Sequence, residues 1–156
     1  MSTDVIFRSA VETDLPAIVA LLADDVIGAG RENATASDAY VTAFREVTAD
    51  PRNHLVVADV DGEVAGTLQV TYIPGISRMG AERAQIEGVR VAAAHRSRGL
   101  GREMINWAVG QAKARGCGLV QLTSDKRRSD AIRFYESLGF EATHEGMKLP
   151  LRPVVY

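Results

Sequence analysis

Apolar and polar positions recur along this chain with two different spacings, and each spacing predicts one kind of element. Residues 4–10 have the pattern of a first strand, whereas apolar residues recur at helical spacing over residues 12–25. A second helix is predicted over residues 36–50 and ends before Pro51, because the residue before a proline disfavours helical backbone angles. The first third of the chain therefore predicts a strand followed by two helices.

The middle of the chain predicts a hairpin and then a fourth strand. Residues 54–60 and 63–73 flank an Asp-Gly pair, which supplies the positive φ angles of a tight two-residue turn. Residues 81–91 predict the fourth strand, in which Gly88 marks a bulge or a close approach of the backbone.

The last third of the chain predicts helices and strands in alternation. A glycine follows each predicted helix, as expected where a helix ends with a residue of positive φ. The predicted elements are a helix from Gly99 to Arg115, a strand over 118–124, a helix over 129–138 and a last strand over 140–149. With the earlier hairpin, this order predicts an α/β protein that has one mixed sheet with helices on both faces.

Composition limits the class of protein. The chain has 156 residues, of which 46% are hydrophobic and 24% charged, and this predicts one globular domain over residues 1–156. The formal net charge of −2 argues against a nucleic-acid-binding protein, although a local basic patch is compatible with it. The single cysteine, Cys117, forms no intramolecular disulfide, and the chain has neither a signal peptide nor an apolar run of about 20 residues. These features predict a soluble cytoplasmic protein, and the scattered histidines predict no metal site.

The stretch HRSRGLGREM, residues 95–104, combines glycines and arginines where a helix is predicted to begin. Gly99 and Gly101 allow a ligand to approach the backbone, and the free N–H groups of a first helical turn carry about half a positive charge. Three arginines add full charges: Arg96, Arg98 and Arg102. This combination suits a ligand with two adjacent phosphates. A basic surface loop is the alternative, and the glycine fingerprints of dinucleotide-binding units and P-loops are missing.

Two segments carry motifs in a fixed order: VRVAAAHRSRGLG at residues 89–101 and AIRFYESLGF at residues 131–140. Together they resemble the GNAT superfamily of acetyl-CoA-dependent N-acetyltransferases, and the resemblance spans most of the chain. The R/Q-x-x-G-x-G/A loop of that family matches Arg96, Gly99 and Gly101, and its F-Y-x-x-x-G-F element matches Phe134, Tyr135, Gly139 and Phe140.

The resemblance implies a mostly antiparallel mixed sheet with a V-shaped splay between strands 4 and 5, and acetyl-CoA as cosubstrate. In this family, the pantetheine arm pairs with the fourth strand, here the main chain of Val89 and Val91, and the diphosphate binds the N–H groups of residues 97–102. Thr123 corresponds to the opposite wall. The cofactor-binding residues implied in this way are Val89, Arg90, Val91, Arg96, Ser97, Arg98, Gly99, Leu100, Gly101, Arg102, Thr123 and Arg128.

The expected reaction, attack of an amine on a thioester, requires proton transfers. An alkylamine with a pKa near 10.4 is only about one part in 2500 neutral at pH 7, so a base is useful. The resemblance implies that Glu87 is this base, that Tyr135 is the acid which protonates the leaving thiolate, and that the N–H of Val89 meets the developing oxyanion. Alternatively, Glu87 is an ordinary strand carboxylate, and Tyr135 is a core aromatic beside Phe134.

One position departs from the pattern of the family. Family members often carry an asparagine three residues before the alanine of N-x-x-A-x-x-F-Y, whereas this chain has Arg128. The basic cluster at residues 125–128 suits the nucleotide's 3'-phosphate or an anionic acceptor. A solvated loop is an equal alternative.

The acceptor is expected between the first two helices, from Leu22 to Asp38, and in residues 71–83, where Tyr72 is a candidate for the pocket wall. Three acidic residues there suit an amine, with a solvated helix end as an equal alternative: Asp24, Asp25 and Glu32. The resemblance favours a small amine over a protein or peptide. Residues 150–156 suit packing on a second subunit, and a loose chain end is the alternative. Two other classes stay open, a CoA-binding sensor or interaction module without transfer and a nucleic-acid-binding module.

Overall fold

The computed structural model describes residues 4–24, Ala29, Glu32 and residues 37–153. In this part of the chain, five strands form one sheet in the order β1-β2-β3-β4-β5. They are β1 Val5–Ser9, β2 Asn53–Val60, β3 Glu63–Ile73, β4 Arg83–Val91 and β5 Leu119–Leu122. Neighbours from β1 to β4 are antiparallel and β4 is parallel to β5, which confirms the predicted mixed sheet.

Helices cover both faces of the sheet, as predicted. The longer ones are α1 Leu15–Ala23, α2 Asp38–Ala49, α3 Leu100–Arg115 and α4 Ser129–Ser137. Val57 of β2 packs in a cluster with α1 and α2, whereas its neighbours Val56 and Ala58 pack with α3. Because successive strand side chains point to opposite faces, β2 lies between two helical layers. Among the described residues, no helix combines the length and the apolar character that crossing a membrane requires.

The turns predicted from glycine positions are present. Asp61 and Gly62, with φ of 53° and 84°, form the tight hairpin turn between β2 and β3. Gly88 has φ of 62°, and the register shift opposite Leu68 gives β4 one extra residue there. Gly116 ends α3 with φ of 87°. The three glycine positions lie in the left-handed region, which glycine adopts without steric cost.

The predicted last strand over residues 140–149 is wrong. Residues 141–153 contain no strand and are exposed. The alternation of residue types indicated a strand, but a strand forms only where a neighbour completes its hydrogen bonds. In the described part of the chain, β5 pairs with β4 alone, so residues 141–153 form no ladder of backbone hydrogen bonds with it.

The sheet opens between β4 and β5. Their pairing joins residues Arg83–Ile86 to Leu119–Leu122 and then stops, while β4 continues to Val91. The second half of β4 therefore has an edge that faces away from β3 and is not paired with β5. This is the predicted splay, and it lies beside the start of α3.

Close packing of α3 on β3 gives the first testable prediction. A Cβ placed on Gly66 would lie 2.7 Å from Sδ of Met104 and 3.0 Å from the carbonyl oxygen of Arg90. Gly66→Ala is therefore expected to destabilise the fold by about 1–3 kcal/mol, measured as a lower midpoint of urea unfolding. Gly110→Ala is the control, because the same helix leaves open space there and alanine favours helix. Equal midpoints for wild type and Gly66→Ala would contradict this packing.

Candidate active site

The loop between β4 and α3 has the geometry of an anion site. Gly99 precedes the helix with φ of 83°, and Ser97 also lies in the left-handed region with φ of 61°. Residues 96–99 are exposed, and the first backbone hydrogen bond of the helix joins the N–H of Glu103 to the carbonyl of Gly99. The N–H groups before Glu103 belong to a first turn, whose donors are not used within the helix. The loop therefore fits the diphosphate for which the sequence makes it a candidate.

The sequence motifs at this loop and on α4 converge in space. A Cβ placed on Gly101 would lie 3.5 Å from Cζ of Phe134 and 3.8 Å from Cγ2 of Val91. The start of α3, the end of β4 and the second half of α4 thus meet at one point. This point lies at the open part of the splay.

Arg96 braces the loop. Its Nε donates to the carbonyl of Val91 at 3.1 Å, and its Nη2 lies 3.2 Å from a carboxylate oxygen of Asp24. The guanidinium group thus joins the end of α1 to the end of β4. Asp24 was a candidate for attracting the amine substrate. In this structure its carboxylate forms an ion pair with Arg96 instead.

Two carbonyls expected to meet pantetheine already accept side-chain hydrogen bonds. The carbonyl of Val89 accepts from Nη1 of Arg90 at 2.9 Å, and that of Val91 accepts from Arg96. Since a carbonyl oxygen has two lone pairs, each can accept a second donor. The two arginines therefore lie beside the predicted pantetheine path.

Glu87 lies at the position where β4 leaves β5. Its side chain is exposed and accepts a hydrogen bond from Nε2 of Gln85 at 3.1 Å. A Cβ placed on the next residue, Gly88, would lie 3.7 Å from Cδ2 of Leu22, so the strand passes close to α1. The carboxylate is accessible to a ligand that enters between α1 and β4.

Tyr135 lies on α4 among aromatic side chains. Its ring centroid is 5.2 Å from that of Phe134 and 5.9 Å from that of Phe140, both in edge-on geometry. Burial raises the pKa of Tyr135 above its ordinary value, while the charges of Arg90 and Arg128 act in the opposite direction. The hydroxyl is therefore protonated at neutral pH and available as a donor, on a ring that is also part of the core.

The basic cluster at residues 125–128 pairs partly within itself. Arg127 donates two hydrogen bonds to the carboxylate of Asp125, at 2.9 and 2.7 Å, and these hold the pKa of Asp125 below its usual range. Lys126 lies 3.5 Å from Glu145. Arg128 precedes α4, and its charge reaches Tyr135. The sequence did not indicate this electrostatic link.

The other predicted site residues lie around the loop. Arg98 is exposed, and Arg102 is exposed with its Nη2 3.4 Å from Oγ of Ser137. Leu100 is buried, with 6% exposure, so only its backbone can meet a ligand. Thr123 is exposed and directly follows β5.

The acceptor region is described only in part. Asp25 and most of the segment from Leu22 to Asp38 lie outside the described residues. Glu32 accepts a hydrogen bond from the hydroxyl of Tyr40 at 2.8 Å. The suggestion that Tyr72 lines a pocket is wrong, because Tyr72 is 7% exposed and the guanidinium of Arg115 covers its ring at 4.1 Å.

A shallow surface cavity of about 520 Å³ lies between α1 and the start of the loop that follows β4. Its lining consists of Ala17, Ala20, Leu21, Ala23, Asp24, Val64, Ala92 and Ala93. Ala92 and Ala93 belong to the loop between β4 and α3, and Asp24 pairs with Arg96 of that loop. The cavity therefore borders the loop on the side of α1, whereas Glu87 and Tyr135 are not part of its lining.

Comparison with known proteins agrees with this geometry. The profile of the Acetyltransferase (GNAT) family matches residues 15–140. Streptothricin acetyltransferase of Streptomyces lavendulae is 30% identical over 125 residues, which are 80% of this chain and 58% of that protein. Aminoalkylphosphonate N-acetyltransferase of Salmonella typhimurium is 25% identical over 140 residues, which are 88% of this chain and 85% of that protein.

The solved structures include one with high similarity. A protein from Bacillus halodurans, described as a transcriptional regulator, is 48% identical with a TM-score of 0.92, and the match covers 95% of this chain and 100% of that one. The sheet with its splay and the glycine loop define an acetyltransferase fold. The chain belongs to the GNAT acetyltransferase family, and the identification made from the sequence is confirmed.

Proposed function

We propose that residues 1–156 form one acetyl-CoA-dependent N-acetyltransferase domain, which transfers an acetyl group to a primary amine of a small molecule by direct attack in a ternary complex. The observation that carries this proposal is the meeting of Gly101, Val91 and Phe134 at the open splay. It joins an anion loop, an unpaired strand edge and the tyrosine-bearing helix in one place. A cosubstrate with a diphosphate, an amide-containing arm and a thioester suits these three features.

Each step of the reaction has a candidate group. The amine nitrogen attacks the thioester carbonyl carbon, the C–S bond breaks, and the products are an amide and a free thiol. Glu87 accepts the proton that the amine loses, directly or through water, and Tyr135 donates a proton to the thiolate. The N–H of Val89 is the proposed donor to the carbonyl oxygen while it carries negative charge.

The preference for a small amine rests on the named relatives. One is named for streptothricin and one for aminoalkylphosphonates, both small molecules. The chain spans 58% of the length of the first, so streptothricin is not assigned to this chain as its substrate. Transfer to a protein or peptide is the alternative acceptor class.

A second function, a CoA-binding regulator without transfer, is favoured by the name of the Bacillus halodurans protein. Both functions use the same loop for the cosubstrate. They differ only in whether an amine causes release of thiol. This difference defines the experiment.

Acetyl-CoA at a hundred times its Kd is expected to stabilise the fold by about 2.7 kcal/mol, because a ligand that binds only the folded state shifts unfolding. Thermal unfolding with acetyl-CoA, NAD or ATP measures this, and NAD and ATP are the controls for nonspecific nucleotide binding. A panel of small amines is then followed by free-thiol release. Stabilisation with no amine-dependent release would support the regulator, and no stabilisation by acetyl-CoA would contradict both functions.

A further inference from the structure

Two glutamines lie at the vertex of the splay, where β4 and β5 separate. Gln85 of β4 is opposite Gln121 of β5, and the pairing of these strands ends with the next pair, Ile86 and Leu122. Both glutamine side chains are partly buried. Because opposite residues of neighbouring strands share a face, as do residues two apart on one strand, Gln85, Gln121 and Glu87 lie on the same face. Glu87 is the first residue of β4 beyond the last pair.

Hydrogen bonds link these three side chains in a glutamine network. Nε2 of Gln121 donates to Oε1 of Gln85 at 2.9 Å, and Nε2 of Gln85 donates to Oε1 of Glu87 at 3.1 Å. An ionised carboxylate only accepts hydrogen bonds, so Gln85 has to turn its N–H groups toward Glu87. The amide oxygen of Gln85 then faces Gln121, which has to donate. Each member of the glutamine network therefore fixes the orientation of the next.

The glutamine network limits the rotation of an exposed side chain. Glu87 is exposed, and an exposed side chain of this length occupies several rotamers. A bond from Gln85 to Oε1 selects those rotamers that keep the carboxylate at the vertex of the splay. A general base acts only within hydrogen-bond reach of the proton that it removes, and a fixed orientation raises the rate of such a step. The oxygen that Gln85 does not hold, Oε2, is the one left to accept a proton.

We infer that Gln85 is a positioning residue for Glu87, and that Gln121 acts through Gln85 by fixing its amide. This inference rests on the proposed function, in which Glu87 accepts the proton that the attacking amine loses. Gln85 holds Oε1, and the proton passes from the amine nitrogen to Oε2, directly or through water. Neither glutamine takes up or releases a proton.

A third glutamine provides a matched control. Gln69 of β3 lies opposite Glu87 and is partly buried, like Gln85. Its Nε2, however, donates to Oγ1 of Thr71 at 3.4 Å, and this hydroxyl donates to Oδ1 of Asn53 at 3.0 Å. Gln69 thus has the same side chain next to the same carboxylate, but its hydrogen bond belongs to a separate group.

Replacement of each glutamine by methionine tests the inference, because methionine keeps the length of the side chain and has no N–H to donate. Gln85→Met is expected to lower kcat for amine-dependent thiol release about tenfold, and Gln121→Met about threefold, which is the scale of one hydrogen bond. Gln69→Met should keep a kcat close to that of wild type. The Kd for acetyl-CoA and the unfolding temperature should change little in all three variants. If Gln85→Met kept the wild-type kcat, or lowered it no more than Gln69→Met, the positioning role would be overturned.

A second background separates positioning from a merely structural role. In Glu87→Gln, the further change Gln85→Met should have almost no effect on kcat, because no carboxylate is left to orient. An equal loss in both backgrounds would show that Gln85 only supports the fold and would overturn the inference. A Glu87→Gln variant with the wild-type kcat would remove the base and the role of Gln85 with it. A wild type that releases no thiol with any amine would instead overturn the proposed function.

Side-chain amide signals in NMR spectra of the full-length protein test the glutamine network without acetyl transfer. Gln85→Met should shift the side-chain amide signal of Gln121, which loses its acceptor, and should leave that of Gln69 in place. An unchanged signal of Gln121 would contradict the glutamine network itself.

Discussion

Replacing Tyr135 by phenylalanine is expected to lower kcat about a hundredfold or more, because the variant lacks the hydroxyl that we propose protonates the leaving thiolate. Phenylalanine keeps the ring and hence the contacts with Phe134 and Phe140. The affinity for acetyl-CoA and the unfolding temperature should change little. Steady-state thiol release measures kcat, calorimetric titration measures the affinity for acetyl-CoA, and thermal unfolding measures the unfolding temperature.

Tyr72→Phe is the matched control for this substitution. Tyr72 is also buried and lies under the guanidinium of Arg115, so the variant loses one buried tyrosine hydroxyl at a place away from the splay. Its kcat should stay close to that of wild type. If Tyr135→Phe also kept the wild-type kcat, Tyr135 would be a packing residue and the proton would come from elsewhere.

The pH dependence of kcat follows from the same group. An acid must be protonated to act, so its contribution is lost as the pH rises through its pKa. Burial raises the pKa of Tyr135 from an ordinary value of about 10. The loss is therefore expected only in the alkaline range, and a decline of kcat near neutral pH would belong to a different group. The variant should lack the alkaline decline.

Features that depend on neighbours in sequence could be predicted from the sequence. The hairpin turn at Asp61 and Gly62 and the bulge at Gly88 follow from residues that accept positive φ, a property of the local backbone. The helix that begins after Gly99 has the same origin. The loop before α3 could be proposed as an anion site from the sequence because backbone N–H groups would form that site, and these need no distant partner.

Features that depend on distant neighbours could not be predicted. The contact between Arg96 and Asp24 joins positions 72 residues apart, and no spacing in the sequence indicates it. The prediction of a strand over residues 140–149 was wrong for a related reason. Alternating residue types indicate the two faces of a strand, but they do not show whether a neighbouring strand is present to accept and donate its backbone hydrogen bonds. Tyr72 was a candidate for the pocket wall from its place in the chain, whereas it packs in the hydrophobic core with the guanidinium of Arg115 over its ring.

Replacing Gly101 by aspartate is expected to raise the Kd for acetyl-CoA about a hundredfold or more. A carboxylate about 5 Å from one charge of the diphosphate costs about 3 kcal/mol at an effective dielectric constant of about 20, and each 1.4 kcal/mol corresponds to about a factor of ten. The fold should be kept, because a Cβ at this position makes only ordinary contacts, 3.5 Å from Phe134 and 3.8 Å from Val91. An acidic residue in the first turn of a helix is also favourable for the helix itself.

Asn106→Asp is the control, because Asn106 is an exposed residue of the same helix beyond its first turn and gains the same charge. Calorimetric titration with acetyl-CoA should show the loss for Gly101→Asp alone, and the loss should shrink as salt screens the repulsion. Equal affinities for the two variants would mean that the diphosphate does not bind at the start of α3. The assignment of the loop would then be wrong even if the protein transferred acetyl groups. The two variants carry the same new charge, so a difference in affinity between them can arise only from the position of that charge.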